Sequence, residues 1–213
     1  MTAAPPTHAR AVIIGGGVVG CSVAYHLAKL GWRDVVLLER KQLTCGTTWH
    51  AAGLIAQLRA TQNMTRLARY SQELYGSLEA ETGVATGFKR NGSITLALTD
   101  ERLEELRRQA SMARAFGVEV EEIGVSEAAR RVPHLNTDGA TGAVWLPLDG
   151  QGDPTGIAQA LAKGARQNGA TIHEGVRVTA IDTDGGRARS VFWATDDGDS
   201  GTIAADTMRS GRS

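Results

Sequence analysis

Three glycines near the N-terminus have the spacing of a phosphate-binding loop. Gly15, Gly17 and Gly20 fit the pattern G-x-G-x-x-G within GGGVVG, between the apolar run 11–14 and a small-residue stretch at helical spacing. Gly15 would allow a tight turn, Gly17 the close approach of a pyrophosphate, and Gly20 the close packing of helix on sheet. Free N–H groups and the helix dipole would hold the anion. This context predicts a dinucleotide-binding loop.

A carboxylate follows the glycine loop at the distance that dinucleotide binding requires. Glu39 ends a second apolar run, DVVLLE over residues 34–39, about 20 residues after the loop. Its carboxylate is placed to accept a hydrogen bond from a ribose 2′-OH, and it would repel a 2′-phosphate. The alternative is a glycine turn without a ligand and a surface glutamate. The pattern by itself does not separate FAD from NAD.

The segment RKQLTCGTTWHAAGL, residues 40–54, continues the predicted site. We expect a polar turn whose Thr47 and Thr48 hydroxyls lie near the nucleotide, followed by small residues that can pack on a flat ligand. Arg40 is expected either at the adenosine end of the cofactor or in solvent. Local chemistry gives His50 two interpretations, a hydrogen-bonded packing residue or a site histidine.

The remaining patterns predict an α/β fold. The order strand, glycine turn, helix, strand forms a βαβ unit, and the C-terminal runs, separated by DTDGG and DDGDSG, form a β-meander. We expect strands 11–14, 35–39 and 170–173 in one parallel sheet, with helix 154–168 as the right-handed crossover. Further predicted elements are helices 18–30, 61–82, 100–117 and 126–131, strands 93–98, 118–123, 143–147, 176–182, 188–195 and 202–206, and helix caps at Asp100 and Asp153.

Composition and charge argue against several classes of protein. The chain has 213 residues with 23 basic and 23 acidic side chains, so its formal net charge is zero. This balance gives no electrostatic reason to bind nucleic acid or an anionic membrane, and no apolar run approaches the length of a membrane span. Two cysteines without a Cys/His cluster predict neither a disulfide framework nor a metal site, and we expect a cytoplasmic protein.

A resemblance to a known family gives His50 a specific role. The string LLER…LT-CGTTWHAAGL resembles the flavin-attachment region of the dimethylglycine and sarcosine dehydrogenase family, which belongs to the D-amino-acid-oxidase-like FAD enzymes. The likeness continues through ETG…GF…NGSI at residues 81–94 and P-x-D-G-x-x-DP at residues 147–154. In that family the histidine of this string is bonded to the 8α carbon of the flavin. The resemblance therefore implies FAD, held covalently through His50.

The same resemblance implies an activity and its partners. The enzyme would oxidise an N-methyl amine such as dimethylglycine or sarcosine by transferring a hydride to flavin N5. The flavin supplies this chemistry, while the protein orients the amine and excludes water. Family members often carry a folate-binding region further along the chain, and mitochondrial ones pass electrons to a flavoprotein carrier. No residue of this chain is assigned a catalytic role.

The resemblance also organises the chain into domains. We expect a disordered tail over residues 1–10, a discontinuous Rossmann-like FAD-binding domain over 11–60 and 151–206, and an inserted α+β part of a substrate domain over 61–150. The family continues after the meander with one more strand, whereas this chain reads TIAADTMRSGRS. We therefore expect a C-terminally truncated chain with no strand after Asp206, an unrelated end over 208–213, and a sheet that lacks one element.

Two other functions remain open on the sequence. The regulatory subunit of pyruvate dehydrogenase phosphatase resembles the same enzymes, so the fold could serve as a non-catalytic interaction module or persist as an inactive fragment. An NAD-dependent dehydrogenase is the third possibility, although the string TTWHAAGL has no purpose in one.

Overall fold

Strands and helices alternate in the first part of the chain, and consecutive strands follow at its end. The structure, a computed structural model, describes residues 4–210, with side chains described as far as Asp206. A short 3-10 helix, Thr48–His50, follows the second strand. The other elements, in chain order, are β1 (His8–Ile14), α1 (Val18–Lys29), β2 (Val35–Glu39), β3 (Leu54–Ile55), α2 (Gln62–Thr82), β4 (Ser93–Ala97), α3 (Asp100–Ala115), β5 (Glu121–Ile123), α4 (Val125–Arg131), β6 (Gly142–Leu146), β7 (Gly150–Gln151), α5 (Pro154–Gln167), β8 (Thr171–Glu174), β9 (Val176–Asp184), β10 (Arg187–Thr195) and β11 (Ser200–Ser210).

The chain divides into two compact units. The first unit consists of Met1–Ala52, Ser77–Gly87 and Asp153–Ser213, and the second of Gly53–Gly76 and Phe88–Gly152. The predicted insertion 61–150 therefore differs from the second unit at Ser77–Gly87. The reason is that the last turns of α2 bury Leu78 completely and carry side chains that bond to α1.

The first unit is built on a six-stranded sheet in the order β8-β2-β1-β11-β10-β9. The pairs β8–β2, β2–β1 and β1–β11 are parallel, and β9, β10 and β11 form an antiparallel meander. The predicted α/β class and the three predicted parallel strands are confirmed. Every residue of β2 is buried, and so are Ala11, Val12 and Ile13 of β1, which explains the apolar runs 11–14 and 35–38.

Small residues let the two crossover helices of this unit pack closely. Helix α1 buries Cys21, Ala24 and Ala28, and α5 buries an alanine-rich face that includes Gly164. A Cβ atom at Gly164 would lie 2.8 Å from the Tyr25 ring, so only glycine fits there. The predicted cap of α5 is confirmed, since the Asp153 carboxylate accepts hydrogen bonds from the first free N–H groups of the helix.

The N-terminal end of the sheet corrects one prediction. A disordered tail was expected over residues 1–10, but β1 already begins at His8. Ala9 is completely buried, and His8 is paired with Ala204 of β11. The polar residues that obscured this strand point to the opposite face, because side chains alternate along a strand.

The C-terminal end of the sheet corrects a second prediction. The prediction that no strand follows Asp206 is wrong, because β11 continues to Ser210 and pairs in parallel with β1 as far as the register Ile14↔Ser210. The predicted strand 202–206 is therefore longer than expected at both ends, and it is this strand that pairs with β1. Main-chain groups make this pairing, so an apolar sequence is not required for it. The part of the predicted unrelated end beyond Ser210 lies outside the described residues.

The second unit contains a three-stranded antiparallel sheet in the order β4-β6-β5 and the two-stranded ladder β3–β7. Helix α3 packs on the larger sheet through Leu106 and Ala110, which cluster with Ala97 and Val144. Its predicted cap was Asp100, but the cap is Thr99, whose hydroxyl accepts a hydrogen bond from the N–H of Arg102. Asp100 is the first residue of α3, where the helix dipole stabilises its negative charge.

A buried polar network links the loops of the second unit. The Asp149 carboxylate accepts hydrogen bonds from the Gln57 N–H at 2.8 Å and the Ser93 hydroxyl at 2.7 Å. The Gln57 side-chain amide in turn donates to the Gln72 side chain at 2.5 Å. Such groups are stable in a core only when their hydrogen bonds are made, so this network fixes the loops around it.

Among residues 4–210, no helix combines the length and apolarity of a membrane span.

A three-residue charge cluster joins α1 to the end of α2. The Tyr25 hydroxyl donates to the Glu81 carboxylate at 2.8 Å, and the Lys29 ammonium lies 3.0 Å from the same carboxylate. Desolvation alone would raise the pKa of Glu81, but the hydrogen bonds from Lys29 and Tyr25 outweigh it and hold the pKa below its usual value.

This cluster predicts how stability responds to acid. A carboxyl group with a lowered folded-state pKa stabilises the protein above its unfolded pKa of about 4.3, and that contribution is lost as the pH falls through the folded value. We expect Glu81→Gln to show a shallower loss of stability between about pH 5 and pH 3 than the wild type. Urea unfolding at a series of pH values measures this. Glu79→Gln, an exposed position on the same helix, should retain the wild-type slope; equal slopes for both variants and the wild type would contradict the prediction.

Candidate functional site

The glycine loop joins β1 to α1 in a conformation that other residues cannot adopt. Gly15 has a φ of +107°, and its N–H donates to the Leu38 carbonyl at 2.9 Å, which ties the turn to β2. A Cβ atom at Gly20 would lie 1.9 Å from the Gly15 carbonyl oxygen. Gly17 caps the N-terminus of α1 without any side-chain bond. The loop therefore presents bare main chain at the positive end of a helix dipole.

A cavity of about 610 Å³ lies at this loop, at the carboxyl ends of β1 and β2. Its walls contain all the predicted site residues except His50. This is the position where open α/β sheets bind their ligands. The lining residues are Ile14, Gly15, Gly17, Val18, Val19, Gly20, Leu38, Glu39, Arg40, Cys45, Gly46, Thr47, Thr48, Ala51, Val176, Arg177 and Val178.

Glu39 connects the end of β2 to the loops on either side of it. Its carboxylate is buried and accepts hydrogen bonds from the Gly16 N–H at 2.7 Å and the Lys41 N–H at 2.9 Å. The Cys45 thiol lies 3.7 Å from the same group. These contacts fix the carboxylate on the cavity wall. Its bond to a ribose stays a prediction.

Thr48 contacts the first turn of α1. Its hydroxyl accepts a hydrogen bond from the Val18 N–H at 3.0 Å, and a Cβ atom at Gly17 would lie 3.1 Å from that oxygen. Thr48 is buried, whereas Thr47 and Arg40 are exposed at the cavity. The segment after Glu39 is therefore folded back against the glycine loop. The expectation that its threonine hydroxyls lie near a nucleotide stays a prediction.

His50 ends the short 3-10 helix and is exposed rather than part of the cavity wall. Its Nδ1 lies 3.2 Å from the Gly46 carbonyl oxygen, and its ring lies 3.8 Å from the Trp49 ring between centroids. A carbonyl oxygen only accepts hydrogen bonds, so this contact favours the neutral tautomer with its proton on Nδ1, in which Nε2 has the lone pair. His50 is thus an exposed histidine between two residues that line the cavity, Thr48 and Ala51.

Sequence reasoning missed the wall that β9 provides. Val176, Arg177 and Val178 line the cavity because the first residues of β9 follow directly on the carboxyl end of β8. The Gly175 N–H donates to the Lys41 carbonyl at 2.8 Å and holds this turn beside the loop after β2. The rule that ligands bind at the carboxyl ends of parallel strands would have pointed to this turn.

The two cysteines differ in exposure. Cys21 is buried in α1, and burial raises the pKa of its thiol to about 12, so it stays protonated. Cys45 is exposed and lines the cavity. Among the described residues, no group of three His, Cys, Asp or Glu side chains could hold a metal ion.

The sheet, the glycine loop and the cavity together are those of a Rossmann-like α/β protein. Residues 10–207 match the family of FAD dependent oxidoreductases, and the chain belongs to that family.

Relatives of known function share much of this chain. It is 42% identical over 177 residues to human mitochondrial sarcosine dehydrogenase, and the match covers 83% of this chain and 19% of the relative. It is 43% identical over 173 residues to rat mitochondrial dimethylglycine dehydrogenase, and this match covers 81% of this chain and 20% of the relative. It is 39% identical over 198 residues to the mouse mitochondrial pyruvate dehydrogenase phosphatase regulatory subunit, covering 88% and 23%. The chain therefore spans about a fifth of the length of these relatives.

Solved structures share the fold. The L-proline dehydrogenase from P. horikoshii superposes with a TM-score of 0.87 at 29% identity, and the match covers 97% of this chain and 53% of that one. The glycine oxidase from Geobacillus kaustophilus has a TM-score of 0.79 at 29% identity, covering 97% and 55%. The chain spans about half the length of these proteins.

The glycine loop generates a prediction for nucleotide affinity. In Gly20→Ala the added Cβ would meet the Gly15 carbonyl oxygen at 1.9 Å, so α1 and the loop must separate. We expect the affinity for ADP to fall about tenfold or more, measured by calorimetric titration of the flavin-free protein.

A matched control comes from the same cavity. Gly46 also lines it, but nothing lies within 4 Å of a Cβ atom at that position. Gly46→Ala should bind ADP within about threefold of the wild type, a change under 1 kcal/mol. Equal affinities of Gly20→Ala and Gly46→Ala for ADP, in proteins with the wild-type circular dichroism spectrum, would contradict the interpretation of the glycine loop as a dinucleotide-binding loop.

Proposed function

We propose that this protein binds FAD covalently through His50 and serves the oxidation of an N-methyl amine of the sarcosine or dimethylglycine type. The observation that carries the proposal is the accessible Nε2 of His50, held by a 3-10 helix whose first residue, Thr48, lines the cavity. The relatives named sarcosine and dimethylglycine dehydrogenase support the substrate class.

The cavity residues fit the adenosine diphosphate part of FAD. The N–H groups of Gly15, Gly16 and Val18 are already bonded to Leu38, Glu39 and Thr48. The N–H groups of Gly17, Val19 and Gly20, at the N-terminus of α1, are those that suit the diphosphate. Glu39 suits a ribose hydroxyl, because its carboxylate is fixed at the end of β2. Arg40, Thr47 and Thr48 complete the polar wall.

His50 would hold the flavin ring. Its Nδ1 faces the Gly46 carbonyl, so Nε2 is the ring nitrogen that would hold the flavin through its 8α carbon. When bound, the flavin supplies hydride acceptance at N5, and the protein contributes binding, orientation and exclusion of water.

The finer parts of the proposal concern the whole enzyme. The chain spans about a fifth of its dehydrogenase relatives, and the match to human sarcosine dehydrogenase covers 19% of that protein. We therefore keep as proposals a substrate domain that includes residues 61–150, a folate-binding region and an electron acceptor. The truncation of this chain also stays a proposal. The cytoplasmic location expected from the sequence also stays a prediction.

A second function is favoured by one specific observation. The relative with a match over 198 residues is a regulatory subunit of a phosphatase. We propose as the alternative that the fold acts as an interaction module without catalysis.

The covalent bond is tested by acid precipitation of the purified protein. We expect the wild-type pellet to stay yellow and fluorescent, because a carbon–nitrogen bond survives unfolding, and the His50→Ala pellet to lose its flavin. His134→Ala, an exposed loop histidine, is the control and should retain it. Complete release from the wild type, or retention in His50→Ala, would show that the attachment is wrong.

The substrate class is tested by anaerobic titration of the flavin-loaded protein with sarcosine and with dimethylglycine. Hydride transfer should bleach the visible flavin absorbance, and glycine, which lacks the N-methyl group, should not. A protein that retains flavin but bleaches with neither amine would contradict the enzyme and favour the interaction module.

A further inference from the structure

Helix α1 receives the cap of its first turn from a residue on another loop. The helix begins after Gly17, which has no side chain that could accept a hydrogen bond. The Val18 N–H donates instead to the Thr48 hydroxyl at 3.0 Å, from a position 30 residues further along the chain. A cap of this kind is normally made by the residue that precedes the helix. The start of α1 therefore depends on the loop that follows β2.

Little space surrounds this hydrogen bond. Thr48 is only 8% exposed, and its hydroxyl oxygen would lie 3.1 Å from a Cβ atom at Gly17. The missing side chain of Gly17 therefore leaves room for the Thr48 hydroxyl. An N–H that is shielded from water and loses its acceptor destabilises the structure around it, so the loop and the helix hold each other in place.

The same residue begins the turn that carries His50. Thr48 is the first residue of the 3-10 helix, and His50 is the last. The turn is closed by hydrogen bonds from the His50 N–H to the Thr47 carbonyl and from the Ala51 N–H to the Thr48 carbonyl, both at 3.2 Å. The His50 ring is tied to the same segment, since its Nδ1 lies 3.2 Å from the Gly46 carbonyl oxygen. A shift of Thr48 away from α1 would therefore carry the His50 ring with it.

The contact between Val18 and Thr48 leaves other N–H groups of α1 available. Those of Gly17, Val19 and Gly20 suit the diphosphate, whereas Thr48 takes up the one on Val18. The first turn of α1 therefore offers one set of groups to a cofactor and holds the His50 turn with another. A cofactor bound at the helix start and the imidazole of His50 would both be placed relative to the same turn of helix.

We propose that Thr48 is a positioning residue that sets the place of His50 relative to the start of α1. This inference rests on the proposed attachment of FAD to His50, and it adds no chemical step to that attachment. Thr48 acts through His50, because its own hydroxyl is bonded to the helix. The anchored turn would keep the imidazole at one distance from a diphosphate bound at α1, so that the flavin end of the same cofactor meets it in one arrangement.

The rate of flavin attachment tests this assignment. The full chain is prepared without flavin and mixed with FAD over a range of concentrations, and acid-stable flavin in the pellet is followed with time. In Thr48→Val, which keeps the shape of the side chain but not its acceptor, the rate at saturating FAD should fall about tenfold or more. The final amount of attached flavin should equal that of the wild type, since a misplaced histidine still reacts slowly. Thr48→Ser, which restores the hydroxyl, should recover most of the rate.

Thr179→Val is the matched control. Thr179 lies on β9 outside the cavity wall, and its exposed hydroxyl donates to the Phe192 carbonyl at 3.2 Å. The same substitution therefore removes a hydroxyl that is hydrogen-bonded in the same unit but has no contact with the His50 turn. The attachment rate of this variant should stay within about twofold of the wild type.

The outcomes separate this inference from the proposed function. A wild-type rate in Thr48→Val at saturating FAD would overturn the positioning role and leave the attachment to His50 intact. A higher FAD concentration for half-maximal rate, with an unchanged maximal rate, would also overturn it, because Thr48 would then be a cofactor contact only. So would a fraction of Thr48→Val that never attaches flavin and is not restored in Thr48→Ser, since the role would then lie in folding. Failure of the wild type to attach FAD would overturn the proposed attachment and this inference with it.

Discussion

The close approach of α1 to the main chain of Gly15 is the constraint on which the rest of the first unit depends. The space between Gly20 and the Gly15 carbonyl oxygen has no room for a Cβ atom. Because the helix starts this close to the strand, its free N–H groups face the carboxyl end of the sheet, where the cavity lies. Glu39 then links this loop to β2 through the Gly16 N–H. A flexible loop would offer the same groups without holding them for one ligand.

The loop after β2 provides one wall of the cavity and also carries His50. The residues after β2 fold back so that Thr48 bonds the first turn of α1, and the next turn carries His50. The hydrogen bond from the Val18 N–H to Thr48 therefore fixes both this wall of the cavity and the position of His50, the residue proposed to hold a flavin.

The sequence predicted those features that depend on local rules. The glycine spacing predicted a tight turn, the apolar run ending at Glu39 predicted a strand, and the pair Asp153 and Pro154 predicted a helix start. The structure has all three. Features that depend on distant partners were missed. The strand beginning at His8 is stabilised by β11, far along the chain, and β11 extends past Asp206 through main-chain pairing alone. The role of the β8–β9 turn in the cavity likewise depends on which strands are neighbours.

A crystal structure of the full chain with ADP tests the central claim most directly. The account predicts the diphosphate within hydrogen-bond distance of the main-chain N–H groups at the start of α1, and a ribose hydroxyl on the Glu39 carboxylate. ADP bound elsewhere, or a Glu39 carboxylate that makes no contact with the ribose, would contradict it.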